Sequence, residues 1–348
     1  AMSSSDKPII INNPAWGIGD AVVLSWLLLS ANEGGGRPTR LIPRRNHEAF
    51  KLLGVEKYLL PDEDHPDMIV KWPSRGHVPE DNKPTRGWLR NWLDGYGCGA
   101  DCKLVRPTPL HYPGDLAEAE KIWIARQRAT GGGRRVLVFP DSIHNVRVWP
   151  EAGFSRLANI MESRGLTTIT MFQRYREHRF PFAYGGLSLR MMAALIQRAD
   201  LVIGCESGPE HFSTCMQKPT AIMLGPTRVD ITYEHDSANI VAFTGRGPCV
   251  GCNFQGDRGY QALCQANCDT IKTINPWDVA ETLMSTEEKK VAAITSFAPV
   301  SRGQAVLLKP MSQSAPPPVQ VTFGGGRNRG TSVDPSFMEK VATIIKER

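Results

Sequence analysis

The chain has 348 residues, 41% hydrophobic and 22% charged, a length that suits two cored domains of about 150 residues better than one. Its formal charge is +6, but residues 301–348 hold seven Lys/Arg against three Asp/Glu, so the body is close to neutral and a broad nucleic-acid footprint is disfavoured. The longest apolar run, AVVLSWLLLSA at 21–31, is shorter than the roughly 20 residues of a membrane span, and the polar leader AMSSSDK has no signal-peptide core, so a soluble cytoplasmic protein is expected.

In chain order the first part alternates in the α/β manner. PIII reads as a strand, DAVVLSWLLLSANE as a helix, TRLIP as a strand and NHEAFKLLG as a helix. Strands and helices at this spacing imply a parallel sheet. A Pro- and Trp-rich insertion at about 61–118 follows, with one expected helix around RGWLRNWL. There Trp88 and Trp92 share one helical face and Arg86 and Arg90 another. The preferred reading is a helix docked on its tryptophans; the sharper one, joining Lys71, Trp72 and Arg75, is an acceptor platform.

The helix LAEAEKIWIARQRA and the glycines 131–133 precede the strand RRVLVFP, and a domain boundary is placed there. The α/β rhythm then repeats through the helix PEAGFSRLANIMESRG, the strand LTTITMF, the helix SLRMMAALIQRA, the strand DLVIGCE, the helix PEHFSTCMQ and the strand TAIMLG. The expected units are 1–130, 134–290, and a Pro/Gly-rich basic tail, 291–348, expected to be mobile.

Three features carry chemistry. In G-I-G-D, Asp20 either favours a helix dipole at its N-terminus or stands at a strand end to take a proton. In C-E-S-G-P-E-H, the amides of Ser207 and Gly208 sit at a helix start with Pro209 just inside, positioned to donate to an anion; with Arg147 from the loop after RRVLVFP they suggest a diphosphate site. Cys249, Cys252, Cys264 and Cys268, spaced C-x2-C-x11-C-x3-C, have the count and pairing of a tetrahedral zinc or iron site, the alternative being four reduced thiols.

G-I-G-D, V-W-P, D-L-V-I-G-x-E-S-G-P-x-H, K-P-T-A-I-M-L-G-P-T and the terminal cysteines, in this order over residues 8–285, resemble glycosyltransferase family 9, the heptosyltransferases of lipopolysaccharide core synthesis and their relatives. The resemblance implies an α/β GT-B fold, two Rossmann-like domains facing across a crevice. It also implies an inverting transfer from a nucleoside diphosphate sugar, ADP-heptose-like, to an acceptor hydroxyl, with Asp20 as general base and no catalytic divalent metal. Arg147, standing where the family has a lysine, would stabilise the leaving diphosphate together with Ser142, Ser207, Gly208 and His211. Glu206 replaces the family's aspartate with one more methylene, and Glu177 is the nearest candidate for a glutamate that holds the ribose. Comparable cysteine clusters occur in the family, one of them iron-binding. The acceptor is left open among glycolipid, protein and nucleic acid. A homo-oligomer and a peripheral position at the inner membrane are compatible with the resemblance. A nucleic-acid glycosyltransferase and a non-catalytic binding or assembly protein on the same fold are the rival readings.

Overall fold

The computed structural model describes residues 8–13, 17–61, 69–71, 88–96, 98, 101–142, 145–172, 180, 182–233, 235, 239–246, 269–292 and 321–322. Two parallel sheets organise it. The first has three strands in the order β2-β1-β3, namely β1 (Ile9–Asn13), β2 (Thr39–Pro43) and β3 (Ile69–Lys71). The central strand β1 is the expected PIII segment, and α1 (Ile18–Glu33) follows it. Every residue of α1 from Ala21 to Ala31 is buried, as in a helix covered on all sides rather than amphipathic. Helix α2 (His47–Leu52) packs on one side. On another lies α3 (Trp88–Gly95), which docks through buried Leu89, Trp92 and Leu93. The docking reading of this helix therefore holds for Trp92; the side chains of Lys71, Trp72, Arg75, Arg86 and Trp88 lie outside the described residues.

The second sheet has seven parallel strands in the order β10-β9-β8-β7-β4-β5-β6. In chain order these are β4 (Arg135–Phe139), β5 (Thr167–Phe172), β6 (Ala183–Gly185), β7 (Leu201–Cys205), β8 (Thr220–Leu224), β9 (Ile240–Thr244) and β10 (Val321–Thr322). The side-chain period of two divides β4 between two cores: Leu137 and Phe139 join the larger one, Val136 and Val138 the other. The larger core is covered by α4 (Pro113–Thr130), α6 (Leu189–Arg198) and α7 (Gly208–Cys215), and runs on without a break into α1. The opposite face carries α5 (Glu151–Ser163) and α10 (Pro276–Ala292). Short helices α8 (Val229–Thr232) and α9 (Asp269–Lys272) complete the set. Helix α5 ends before Gly165 at φ +83°, a left-handed stop that glycine adopts readily.

Helix α4 precedes the expected boundary at the three glycines, yet its partners are on the second sheet. Arg126 Nε donates to the Thr168 carbonyl at 2.9 Å, Trp123 Nε1 to the Leu195 carbonyl at 3.4 Å, and Glu120 pairs with Arg135 at 2.6 Å. Two residues of the expected tail, Val321 and Thr322, pair with Phe243 and Thr244 of β9; the rest of 293–348 lies outside the described residues. Among the described residues no helix is long and apolar enough to cross a membrane.

Because α1 is enclosed on every side, truncating it should cost a full core cavity. Leu28→Ala, at a residue with 0% exposure, should lower unfolding stability by about 2–5 kcal/mol, read from denaturant midpoints. A loss below about 1 kcal/mol, typical of an exposed site, would contradict the enclosed placement.

Candidate active site

The order of the second sheet reverses between β4 and β7: β5 and β6 continue to one side, β8 and β9 to the other. Open parallel sheets bind ligands just beyond the carboxyl ends of the strands at such a switch point. Two loops leave the sheet there. One follows β4 and carries Ser142, a single 3-10 turn, Asn145–Arg147, and Trp149. The other is the β7–α7 turn, Glu206 and Ser207, which opens onto Gly208.

Trp149 fixes the first loop. Its ring is buried, its Nε1 donates to the Ile274 carbonyl at 3.2 Å, and its backbone N–H donates to Cys205 Sγ at 3.2 Å. The V-W-P motif is thus a brace between the loop and the end of β7. Complete burial pushes the Cys205 thiol well above its ordinary range, despite the Trp149 N–H, so it serves as an apolar acceptor and not as a nucleophile.

Arg147 reaches from this loop to Glu206. Its Nη1 lies 2.9 Å from Oε1 and 2.7 Å from Oε2, with Arg147 and Glu206 9% and 2% exposed. The arginine expected at the diphosphate and the glutamate expected at the sugar are therefore joined to each other. Ser142 Oγ donates to the Glu206 carbonyl at 3.4 Å. His211, one turn into α7, holds Nε2 4.0 Å from Glu206 Oε1 and stacks on Tyr233 with ring centroids 4.4 Å apart. Burial, with His235 and Arg147 nearby, holds the His211 imidazole well below its usual range, so it acts as a neutral donor or acceptor and not as a cation. Tyr233 and His235, after α8, complete the wall. His235 meets the edge of Trp26 of α1 at 5.1 Å, and burial pushes its pKa down to about 3.

Helix α1 closes the site from the first sheet. Its start abuts the start of α7 so tightly that a Cβ on Gly19 would stand 2.8 Å from His211 Cδ2, and one on Gly208 would stand 2.9 Å from Ile18 Cβ. Glycine at both positions is what lets two helix starts meet. Asp20 is the third residue of α1, and its Oδ2 accepts the Gly17 N–H at 2.9 Å. The helix-start reading of Asp20 is visible directly, and the same bond fixes the direction of its carboxylate beside the seam.

Ser142, Arg147, Glu206, Ser207, Gly208 and His211 thus come together at one switch point with Asp20 next to them. Glu177 and the four cysteines 249, 252, 264 and 268 lie outside the described residues; among the described residues no group of three or more metal-binding side chains converges. Sequence reasoning missed Glu210, Tyr233 and His235. Glu210 carried a signal: S-G-P-E has the spacing of a capping box, with Ser207 at the cap. In the structure the two side chains bond to each other instead, Ser207 Oγ donating to Glu210 Oε2 at 2.7 Å.

This arrangement defines the class: an α/β protein with a ligand site at a parallel-sheet switch point, closed by a second Rossmann-like sheet. A glycosyltransferase family 9 protein of Veillonella parvula is similar over 82% of this chain and 98% of its own, with 12% identity and a TM-score of 0.59. ADP-heptose LPS heptosyltransferase II of E. coli covers 80% and 98% at 12% identity and a TM-score of 0.51. The dodecameric iron-containing heptosyltransferase TibC, of enterotoxigenic E. coli, covers 84% and 79% at 14% identity and a TM-score of 0.56 in its complex with ADP-D-beta-D-heptose. The fold is that of these GT-B glycosyltransferases. No curated protein matches the sequence. Residues 113–253 match the family model Glycosyltransferase family 9 (heptosyltransferase), and over that stretch the chain is similar to this family.

The buried Arg147–Glu206 pair sets an expectation. Glu206→Gln leaves a guanidinium without its carboxylate, which should lower stability by about 3–5 kcal/mol. Inorganic pyrophosphate should then raise the melting temperature of the variant by more than that of the unsubstituted protein, since it supplies the missing anion. A smaller rise in the variant would mean that Arg147 does not face the ligand space.

Proposed function

We propose that the protein transfers a sugar, with inversion, from a nucleoside diphosphate donor of the ADP-heptose type to an acceptor hydroxyl. The observation that carries this reading is the convergence of Arg147 and the β7–α7 turn at the switch point with the start of α1 directly across from them. The donor class is supported by the ligand named for TibC.

In this scheme the diphosphate lies against Arg147, Ser142 and the first turn of α7, and Glu206 faces the sugar. Asp20 accepts the proton of the acceptor hydroxyl as that oxygen forms its bond to the anomeric carbon. The bond from the anomeric carbon to the diphosphate oxygen breaks, and the guanidinium of Arg147 balances the charge that develops there. His211 is neutral in its buried setting and contributes a hydrogen bond, not a charge. Glu177 is assigned to the ribose on its place after β5. The acceptor is a glycolipid, a protein or a nucleic acid.

The division into 1–130, 134–290 and a tail belongs to the same proposal, with the contacts of α4 favouring a break nearer residue 112. Homo-oligomerisation is proposed by analogy with the dodecameric TibC. A cytoplasmic location, peripheral at the inner membrane, fits an enzyme that uses nucleotide sugars.

Asp20→Asn keeps an acceptor oxygen for Gly17 but cannot take a proton. ADP binding should survive nearly intact while transfer from ADP-heptose to an acceptor-containing extract falls about 10²-fold or more. Undiminished transfer by this variant removes Asp20 from the chemistry.

Cys249, Cys252, Cys264 and Cys268 are proposed to bind one structural zinc or iron ion on the strength of their spacing. Elemental analysis should find about one metal ion per chain, lost together with thermal stability in Cys252→Ser. A metal-free protein with four titratable thiols in this segment and full stability rejects the site.

A further inference from the structure

Glu210 lies in the first turn of α7 and is wholly buried, a placement that a carboxyl group reaches only with specific support. The Ser207 hydroxyl supplies it: Oγ donates to Oε2 at 2.7 Å. On the other side the carboxyl fills the space that a side chain at position 204 would take: a Cβ on Gly204, in β7, would stand between 1 and 2 Å from Oε1, in hard overlap at 1.7 Å. The carboxyl is thus a wedge between the last residues of β7 and the first turn of α7. The two residues spanned by the wedge are Glu206 and Ser207.

We propose that Glu210 is a positioning residue for the donor diphosphate: its wedged carboxyl sets the direction of Glu206 and of the Ser207–Gly208 turn without touching the ligand. The inference rests on reading this site as the diphosphate site.

The protonation of the wedge matters to the anion. The groups around Glu210 are Ser207 and Glu206 from the turn, Cys205 from β7 and Tyr233 from the segment after α8. Burial holds the Glu210 carboxyl well above the usual carboxylate range, against the bonds from Ser207, and the Glu206 charge adds to the rise. Arg147 is engaged by Glu206, and burial favours the protonated form of the wedge. As a neutral acid it leaves the positive end of α7 unopposed; as an anion it would repel a diphosphate. The folded value lies above the unfolded one, so the contribution of Glu210 to stability is complete below about pH 4 and is lost as pH rises through the folded value. The same ionisation weakens diphosphate binding in the same direction.

The test measures ADP affinity and thermal midpoint for the full chain and for Glu210→Gln and Glu210→Ala, from about pH 5.5 to 9. Glutamine keeps the shape of the neutral acid, and its affinity at low pH should stay within about threefold of the unsubstituted protein. Alanine removes the wedge and should weaken ADP binding by roughly tenfold, the equivalent of one well-placed hydrogen bond. As pH rises, affinity and midpoint of the unsubstituted protein should fall relative to Glu210→Gln, a divergence that a purely structural role for the side chain would not produce in the affinity. Should the alanine variant fail to fold, the comparison with glutamine alone decides. Parallel pH profiles for affinity, or full ADP affinity in a folded alanine variant, overturn the role of Glu210. Absence of ADP binding by the unsubstituted protein instead overturns the nucleotide-sugar reading, and the role with it.

Discussion

The site depends on one buried ion pair placed where two strands of a parallel sheet part. A guanidinium and a carboxylate taken out of water each lose several kcal/mol of hydration, which their attraction repays only if the geometry is held. Much of the surrounding structure does the holding. Trp149 anchors the Arg147 loop to Cys205 and Ile274, Glu210 wedges the turn that carries Glu206, and Tyr233 stacks on the histidine beside it. Replacing a buried ion pair by hydrophobic residues of similar volume is often neutral or stabilising. A charged pair retained at a switch point therefore points to ligand binding, not to fold stability, as the reason for its presence.

The second constraint is the meeting of two helix starts, α1 from the three-stranded sheet and α7 from the seven-stranded one. Both ends carry the positive pole of a helix dipole, and like poles in contact are unfavourable unless something negative lies near each. Asp20 at the start of α1 and Glu206 beside the start of α7 meet that need. Each carboxylate stabilises its own helix. The G-I-G-D and E-S-G-P motifs can be understood in these terms: the glycines permit close approach, and the acids make it electrostatically tolerable.

Most of the architecture was legible because apolar periodicity reports burial. The strands TRLIP, RRVLVF, TTITMF, LVIGC and TAIML lie where their Val/Ile/Leu runs indicated, since strands of a parallel sheet covered on both faces are apolar throughout. Short edge strands escaped. Ala183–Gly185 and Val321–Thr322 have too few residues to show a period, and they owe their conformation to a partner distant in sequence. In the site, positions that begin helices or follow strands were readable from Gly, Ser and Pro chemistry. Pairings across the fold, such as Arg147 with Glu206, were not, because nothing in a local window fixes the relative placement of residues 59 positions apart. Tyr233 and His235 were invisible for the same reason: their role comes from α1 and α7 lying against them.

The arginine at position 147 is a consequential departure from the lysine of the resembled family. An ammonium is a compact point charge that must choose between an internal carboxylate and an incoming phosphate. A guanidinium presents five donors in a rigid fork and can engage more than one acceptor in its plane. Nη1 of that fork reaches both oxygens of Glu206. Glu206 is also one methylene longer than the aspartate it replaces, which lets it reach the arginine from the turn after β7. The two departures are thus coupled: a longer acid and a forked base form a pair in which the carboxylate steadies the guanidinium. Around them the histidines are neutral and the wedged acid favours its protonated form. Within this buried wall the Arg147–Glu206 pair is therefore where opposite charges meet.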